Sequence, residues 1–329
     1  MKIGLRSHDG SEERLRFAQQ IGADGASIWG WALPGYQEQG YPTLEGLLDI
    51  RERFAQHDLA LTGIGLGAEV IKNQLLDRPG REEDVAKVAQ TIRTMGQAYE
   101  DAEPTQSPVL IIDQRLTYWE REGYTGGSRE PIGRGGARLY RFDATVHPER
   151  FDAPAGEVSR DQVWERMTYL YERIVPVAEE AGIHLATHPD DPPMDTYRGV
   201  EQVLTGLDGF REFTERFPSP NNGLLLCLGC MQERGEDINQ VIRYFGQRDL
   251  IFYVHLRNVL GQVPRYQEVF LNQGDMDVVA ALRALKAVGY DRYLVPDHHV
   301  ALDGDGSWQQ GSRAWAVGYL QGLMQALDL

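Results

Sequence analysis

The chain has 329 residues, 42% of them hydrophobic and 25% charged, and a formal net charge of −16 at pH 7, a composition ordinary for a globular enzyme. The acidic balance argues against a nucleic-acid partner, which calls for a basic patch, but it leaves an anionic small molecule open, because a site can be locally positive in an acidic protein. The two cysteines, Cys227 and Cys230, exclude a disulfide framework, and a reducing, cytoplasmic setting is expected.

From the N-terminus, KIGLR (2–6) reads as a short strand followed by turn residues, with no apolar stretch of a secretory signal. A helical periodicity, SEERLRFAQQIG, leads to a second strand, GASIWG (25–30). TLEGLLDIRERFAQHD, another amphipathic window, leads to LALTGIGL (59–66), and SPVLIID (107–113) is the fourth strand. After a long irregular stretch come IHLATHP (183–189), GLLLCLG (223–229), IFYVHLRN (251–258) and RYLVPDHH (292–299), with the helical window DMDVVAALRALKAVG before the last. Serine and threonine open several helical windows and glycine closes them; Gly182 separates a helix from the strand at 183–189. No segment approaches the ~18 apolar residues of a membrane span, so no membrane partner is expected.

Eight strands alternating with helices imply parallel pairing, and eight is the number that closes a (β/α)8 TIM barrel. A doubly wound open sheet would place a glycine-rich phosphate turn after the first strand, and GLRSHDGS is not one. A single domain over residues 1–329 is expected. Residues 114–160 interrupt the rhythm. Their core, YWEREGYTGGSREPIGRGGARLYRFD, is rich in Gly, Arg and Tyr and includes Trp119, which favours a partly ordered, lid-like insert after the fourth strand.

In such a barrel, polar residues at the C-terminal ends of strands line the active-site mouth. The last four strands end in His188, Cys227, His255 and the pair Asp297 and His298. Two imidazoles, a thiolate and a carboxylate suit a divalent transition metal, whereas magnesium or calcium would call for oxygen ligands throughout. Taken singly, each has a plainer explanation: a strand-end histidine is usually a satisfied loop residue, and Cys227 an ordinary buried side chain. CLGC also matches the spacing of a redox pair opening a helix. Four consecutive strands ending in ligand-type residues favour a shared site.

HPDDPP (188–193), HLRN (255–258), GDMDV (274–278) and PDH (296–298), together with IWGWALPG near the second strand and YRFD after the insert, resemble the mannonate dehydratase family. The resemblance covers most of the chain and implies a xylose isomerase-like barrel. It implies manganese, with iron, cobalt or zinc as alternatives, held by His188, Cys227, His255 and Asp297, the set that the strand ends select. It further implies that His298 is the acid or base in dehydration of a six-carbon aldonic acid to a 2-keto-3-deoxy acid. Arg257 and Arg141 are the candidates for the substrate carboxylate. Asp190, Asp191 and Asn258 are the candidates for its hydroxyls, and a homo-oligomer is expected.

The chain departs from the family pattern at four places. His299 follows Asp297-His298 where the family has glycine, and CLGC replaces Cys-Thr-Gly-Ser. DQRLT replaces a Trp-x-Arg segment, with Arg115 the one counterpart. A tyrosine after the eighth strand has none, Trp308 falling near its place. A metal-dependent sugar isomerase or epimerase is the alternative activity, and a binder of sugar acids without catalysis is the third reading.

Overall fold

The computed structural model describes residues 1–66, 70–102, 106–113, 116, 130–145 and 155–329. Eight strands, Lys2–His8, Gly25–Trp29, Ala60–Gly65, Val109–Ile112, Leu185–Thr187, Asn222–Cys227, Ile251–His255 and Tyr293–Val295, lie parallel, each beside the next. The eighth returns to the first through Lys2–Tyr293 and Ile3–Leu294, so the sheet closes into a barrel. All eight coincide with strands read from the sequence. The windows at 223–229, 251–258 and 292–299 run beyond the true strand ends. A helix, Leu228–Arg234, begins directly after Cys227, and the residues after His255 and Val295 leave the ladder to build the mouth.

Both faces of these strands are apolar because both are covered. Leu224, Leu226 and Val254 pack with helix residues such as Phe210, Phe213 and Phe245, while Val109, Ala186, Leu225, Tyr253 and Val295 cluster separately inside the barrel. Alternation is therefore at work even where composition does not reveal it. The Tyr253 and Thr62 hydroxyls hydrogen-bond across that interior at 2.7 Å.

Helices form where the periodicity places them, at Glu12–Gln20, Leu44–Ala55 and Val278–Ala287. Side-chain oxygens of Thr43 and Asp277 accept from the amides of Gly46 and Ala280, at 3.1 and 3.0 Å, satisfying N–H groups that the helix leaves without partners. The helix Arg160–Ala181 opens with a reciprocal cap between Ser159 and Gln162 and ends at Gly182, whose φ of 66° is the left-handed conformation that glycine tolerates.

The described part of the insert packs onto the barrel mouth. Arg141–Asp143 joins Asn258–Gln262 and Arg265–Val269 in a three-stranded antiparallel sheet, with Phe142 buried against Tyr266 and Val259. Ala137 and Leu139 pack with Val269, Phe270 and Val300 from the loops after the seventh and eighth strands. Arg115 and Trp119 lie outside the described residues. No helix among the described residues is long and apolar enough to cross a membrane.

Candidate active site

Period two along the barrel strands decides which side chains reach the mouth. Ala186, Leu225, Tyr253 and Val295 point into the barrel interior. Two residues further on, in the same direction, stand His188, Cys227, His255 and Asp297. Ligand atoms of His188, Cys227 and His255 lie within 4.8 Å of one another. Asp297 joins them through Oδ2, 3.7 Å from His255 Nδ1. His188, His255 and Asp297 line a cavity of about 380 Å³ at the C-terminal end of the barrel, within the usual size of a small-molecule site.

These four residues fit a divalent metal on observations of the site itself. Among the described residues, both ring nitrogens of His255 and Oδ1 of Asp297 are buried without hydrogen-bond partners, a costly condition that coordination would relieve. Burial pushes the Cys227 thiol upward, but the adjacent Cys230 thiol, the charge of Arg257, and the neighbouring His188 and His255 rings outweigh it, leaving the thiol well below its ordinary range. Burial lowers His255 to about 4, so the ring is neutral near pH 7, and a neutral ring is what a metal binds. His188 Nδ1 lies 2.7 Å from the Pro189 carbonyl, which fixes the ring and turns Nε2 toward the group.

Behind this group lies a second cluster, Asp191, Cys230 and Glu233, and the guanidinium of Arg257 fills it. Its Nη2 donates to Asp191 at 3.0 Å, to Glu233 at 2.9 Å and to Cys230 Sγ at 3.3 Å. Nη1 donates to Asp297 Oδ2 at 3.1 Å, leaving Oδ1 open. Gly229 makes room: a Cβ there would overlap the Arg257 side chain. Replacing Arg257 with methionine removes the cation from three buried carboxyl groups, and a loss of about 3–5 kcal/mol is expected. Denaturant unfolding measures this, and unchanged stability would show that the network does not hold the wall.

Four residues expected to meet substrate stand elsewhere. Arg257 is spent inside the wall. Arg141 is exposed and paired with Glu130 at 3.0 Å, outside the cavity. Asp190 Oδ2 accepts from the amides of Val203 and Leu204, at 3.2 and 2.8 Å. The Asn258 amide donates to the carbonyls of Leu271 and Met276 and its oxygen accepts from Val259 and Met276, so the side chain ties the loop together. Asp191 lines the cavity, with its Oδ2 held by Arg257. Trp308 turns away from it, its ring 5.3 Å from Phe17, while Ser307, Gln309 and Arg313 reach inward around it.

His298 lines the cavity beside Asp297. Its Nδ1 lies 2.7 Å from Glu268 Oε1, and its Nε2 lies 3.3 Å from Arg257 Nη1. Glu268 comes from the hairpin strand Arg265–Val269, which strand periodicity within the barrel does not reveal. The opposite wall was also missed: Arg6, His8, Trp29 and Asp113 line it from the first, second and fourth strands. The signal was available, because the two-residue rule applied to the first four strands selects them. His299 is a further cavity residue, and burial and the nearby Arg313 charge hold its pKa well below the ordinary histidine value.

Comparison with known proteins identifies a family and a set of relatives. The model of the D-mannonate dehydratase (UxuA) family matches residues 144–329, a span that contains all four candidate ligands and His298. Mannonate dehydratase 2 of Halalkalibacterium halodurans is 33% identical over 179 residues, 52% of this chain and 52% of that protein. Mannonate dehydratase of Streptococcus agalactiae serotype III is 29% identical over 234 residues, 68% of this chain and 64% of its own length. The chain thus spans about half the length of the first of these relatives. The crystal structure of mannonate dehydratase from Streptococcus suis serotype2 superposes with a TM-score of 0.84 at 24% identity, covering 100% of this chain and 95% of that one. A xylose isomerase domain protein from Planctomyces limnophilus follows at 0.62 and 16% identity, covering 99% and 98%. At these identities the two structures speak for the fold, a xylose isomerase-like TIM barrel.

Proposed function

From the premise that the chain belongs to the D-mannonate dehydratase family, we propose that it is a metal-dependent hydro-lyase acting on a six-carbon sugar acid of the D-mannonate type. The product is the corresponding 2-keto-3-deoxy acid. The observation that carries this reading is the meeting of His188, Cys227, His255 and Asp297 at successive strand ends, with buried donor atoms left open. The mixed imidazole, thiolate and carboxylate set suits a first-row transition ion, manganese being the one that the family resemblance names. When bound, such an ion supplies Lewis-acid stabilisation of the negative charge that develops as the proton beside the carboxylate is lost.

The protein's own groups account for the rest. Departure of the 3-hydroxyl needs a proton and loss of the 2-hydrogen needs a base. His298 is the group for proton transfer: Glu268 orients its ring, and Nε2, 3.3 Å from Arg257 Nη1 and 3.7 Å from Asp297 Oδ2, stands at the cavity. Tyr140, from the described part of the insert, also lines the cavity, 6.3 Å from the His298 ring centre to centre, and helps to shield the reacting carbons from water. Arg257 holds Asp297 without touching substrate.

The test is a panel of six-carbon aldonates and ketoses given to the manganese-loaded protein. A 2-keto-3-deoxy acid from one aldonate is the expected product. Interconversion of ketoses without loss of water would instead make the protein an isomerase or epimerase, and tight binding without turnover would make it a binder.

A further inference from the structure

The cavity has a second recognition surface beside the metal ligands, on the first strand and the loop that follows Asp297, and its chemistry differs. Arg6 stands near the C-terminal end of the first barrel strand, half-buried, its guanidinium over the Trp29 ring at 5.6 Å. It forms no ion pair among the described residues. Arg313, 3% exposed, reaches the same wall from the last helix. Its Nε donates to the Trp308 carbonyl at 2.6 Å and Nη1 to the Arg6 carbonyl at 3.4 Å, which fixes the plane of the guanidinium and ties the two arginines together. Between them and His298 stands His299, 5% exposed, whose ring hydrogen-bonds the Pro296 carbonyl. Its Nε2 is buried without a partner among the described residues.

We propose that Arg6, Arg313 and His299 form a subsite for the 2-hydroxycarboxylate end of the ligand, with the carboxylate against Arg6, Arg313 behind it, and the 2-hydroxyl donating to His299 Nε2. The inference rests on the sugar-acid reading of the site and assigns the ligand's orientation within it. The pairing follows from donor and acceptor types. An arginine presents only N–H donors and suits a carboxylate, whereas an imidazole that has given its N–H to a carbonyl presents only a lone pair. A carboxylate cannot satisfy that lone pair and a hydroxyl can. The two requirements lie side by side, since both arginine charges bear on the His299 ring, and a hydroxyl on the carbon next to a carboxylate meets both. His299 thereby becomes a specificity residue.

The test is a set of binding titrations on the full, metal-loaded chain, using D-mannonate, its 2-deoxy analogue and the uncharged alditol D-mannitol. Arg6→Met should weaken D-mannonate by about 10–100-fold, the size of a lost charge-assisted hydrogen bond, and leave D-mannitol within about twofold. Arg6→Lys should recover part of that loss, separating the charge from packing over Trp29. His299→Leu should shrink the preference for D-mannonate over its 2-deoxy analogue by about tenfold. Equal weakening of acid and alditol in Arg6→Met, or a preference untouched in His299→Leu, would overturn the assignment. If these differences appear and no acid is dehydrated, the subsite stands and the reaction assigned above is wrong.

Discussion

Replacing His298 with asparagine should leave one metal ion per chain in place and lower turnover by about 10²–10⁴-fold, the usual contribution of a positioned acid or base. Asparagine keeps a polar group of similar reach, so Glu268 retains a partner and the wall its shape, while the ring nitrogen that accepts and returns a proton is lost. The geometry separates this role from coordination. Asp297 Oδ2 is 3.7 Å from His298 Nε2, and the His298 ring is anchored to Glu268 rather than to the His188, Cys227 and His255 group. Glu268→Gln, which retains an acceptor and loses the carboxylate, should give a smaller loss in the same direction. Near-normal turnover in His298→Asn would move the proton transfer to another group, with His299 next in position. Loss of metal together with activity would make His298 a ligand.

Cys227→Ser and His255→Ala should each weaken metal binding by more than the ~10–100-fold that removal of an outer partner costs, and activity should fall in step with metal content. The serine variant removes a thiolate, the softest donor of the set, and leaves a hydroxyl that ionises far less readily. The alanine variant removes a neutral ring whose two nitrogens have no other partner among the described residues. Elemental analysis after dialysis against a chelator reads both. Metal content unchanged in both variants would refute the ligand set. Folding is monitored separately, because Cys227 and His255 also fill the top of the barrel interior.

The eight strands and the four candidate ligands were legible for the same reason. A parallel barrel buries both strand faces, so its strands stand out as apolar runs, and a histidine, cysteine or aspartate ending such a run breaks the pattern visibly. Arg6 was legible by that rule as well, but it ends a strand whose neighbours, SHDG, read as an ordinary turn. Arg257 shows where a linear reading stops. Its position in HLRN points to substrate, yet Asp191, Glu233 and Asp297, contributed by three separate segments, enclose its guanidinium. No local pattern marks a buried cation whose partners lie 24 to 66 residues away. Glu268 is similar, because the hairpin that carries it pairs with the insert rather than with the barrel. Trp308 illustrates a shift of one side chain: it lies near the mouth, but its bulk is accommodated between Phe17 and Arg14, so its neighbours Ser307 and Gln309 face the cavity instead.

Product analysis in deuterium oxide tests the central claim most directly. Metal-loaded protein incubated with D-mannonate should yield an acid lighter by one water that carries one deuterium bound to carbon 3, because the enol left by dehydration takes its new hydrogen from solvent. A product of unchanged composition, with deuterium only at the carbon from which hydrogen was removed, would contradict dehydration and show that proton abstraction ends in epimerisation.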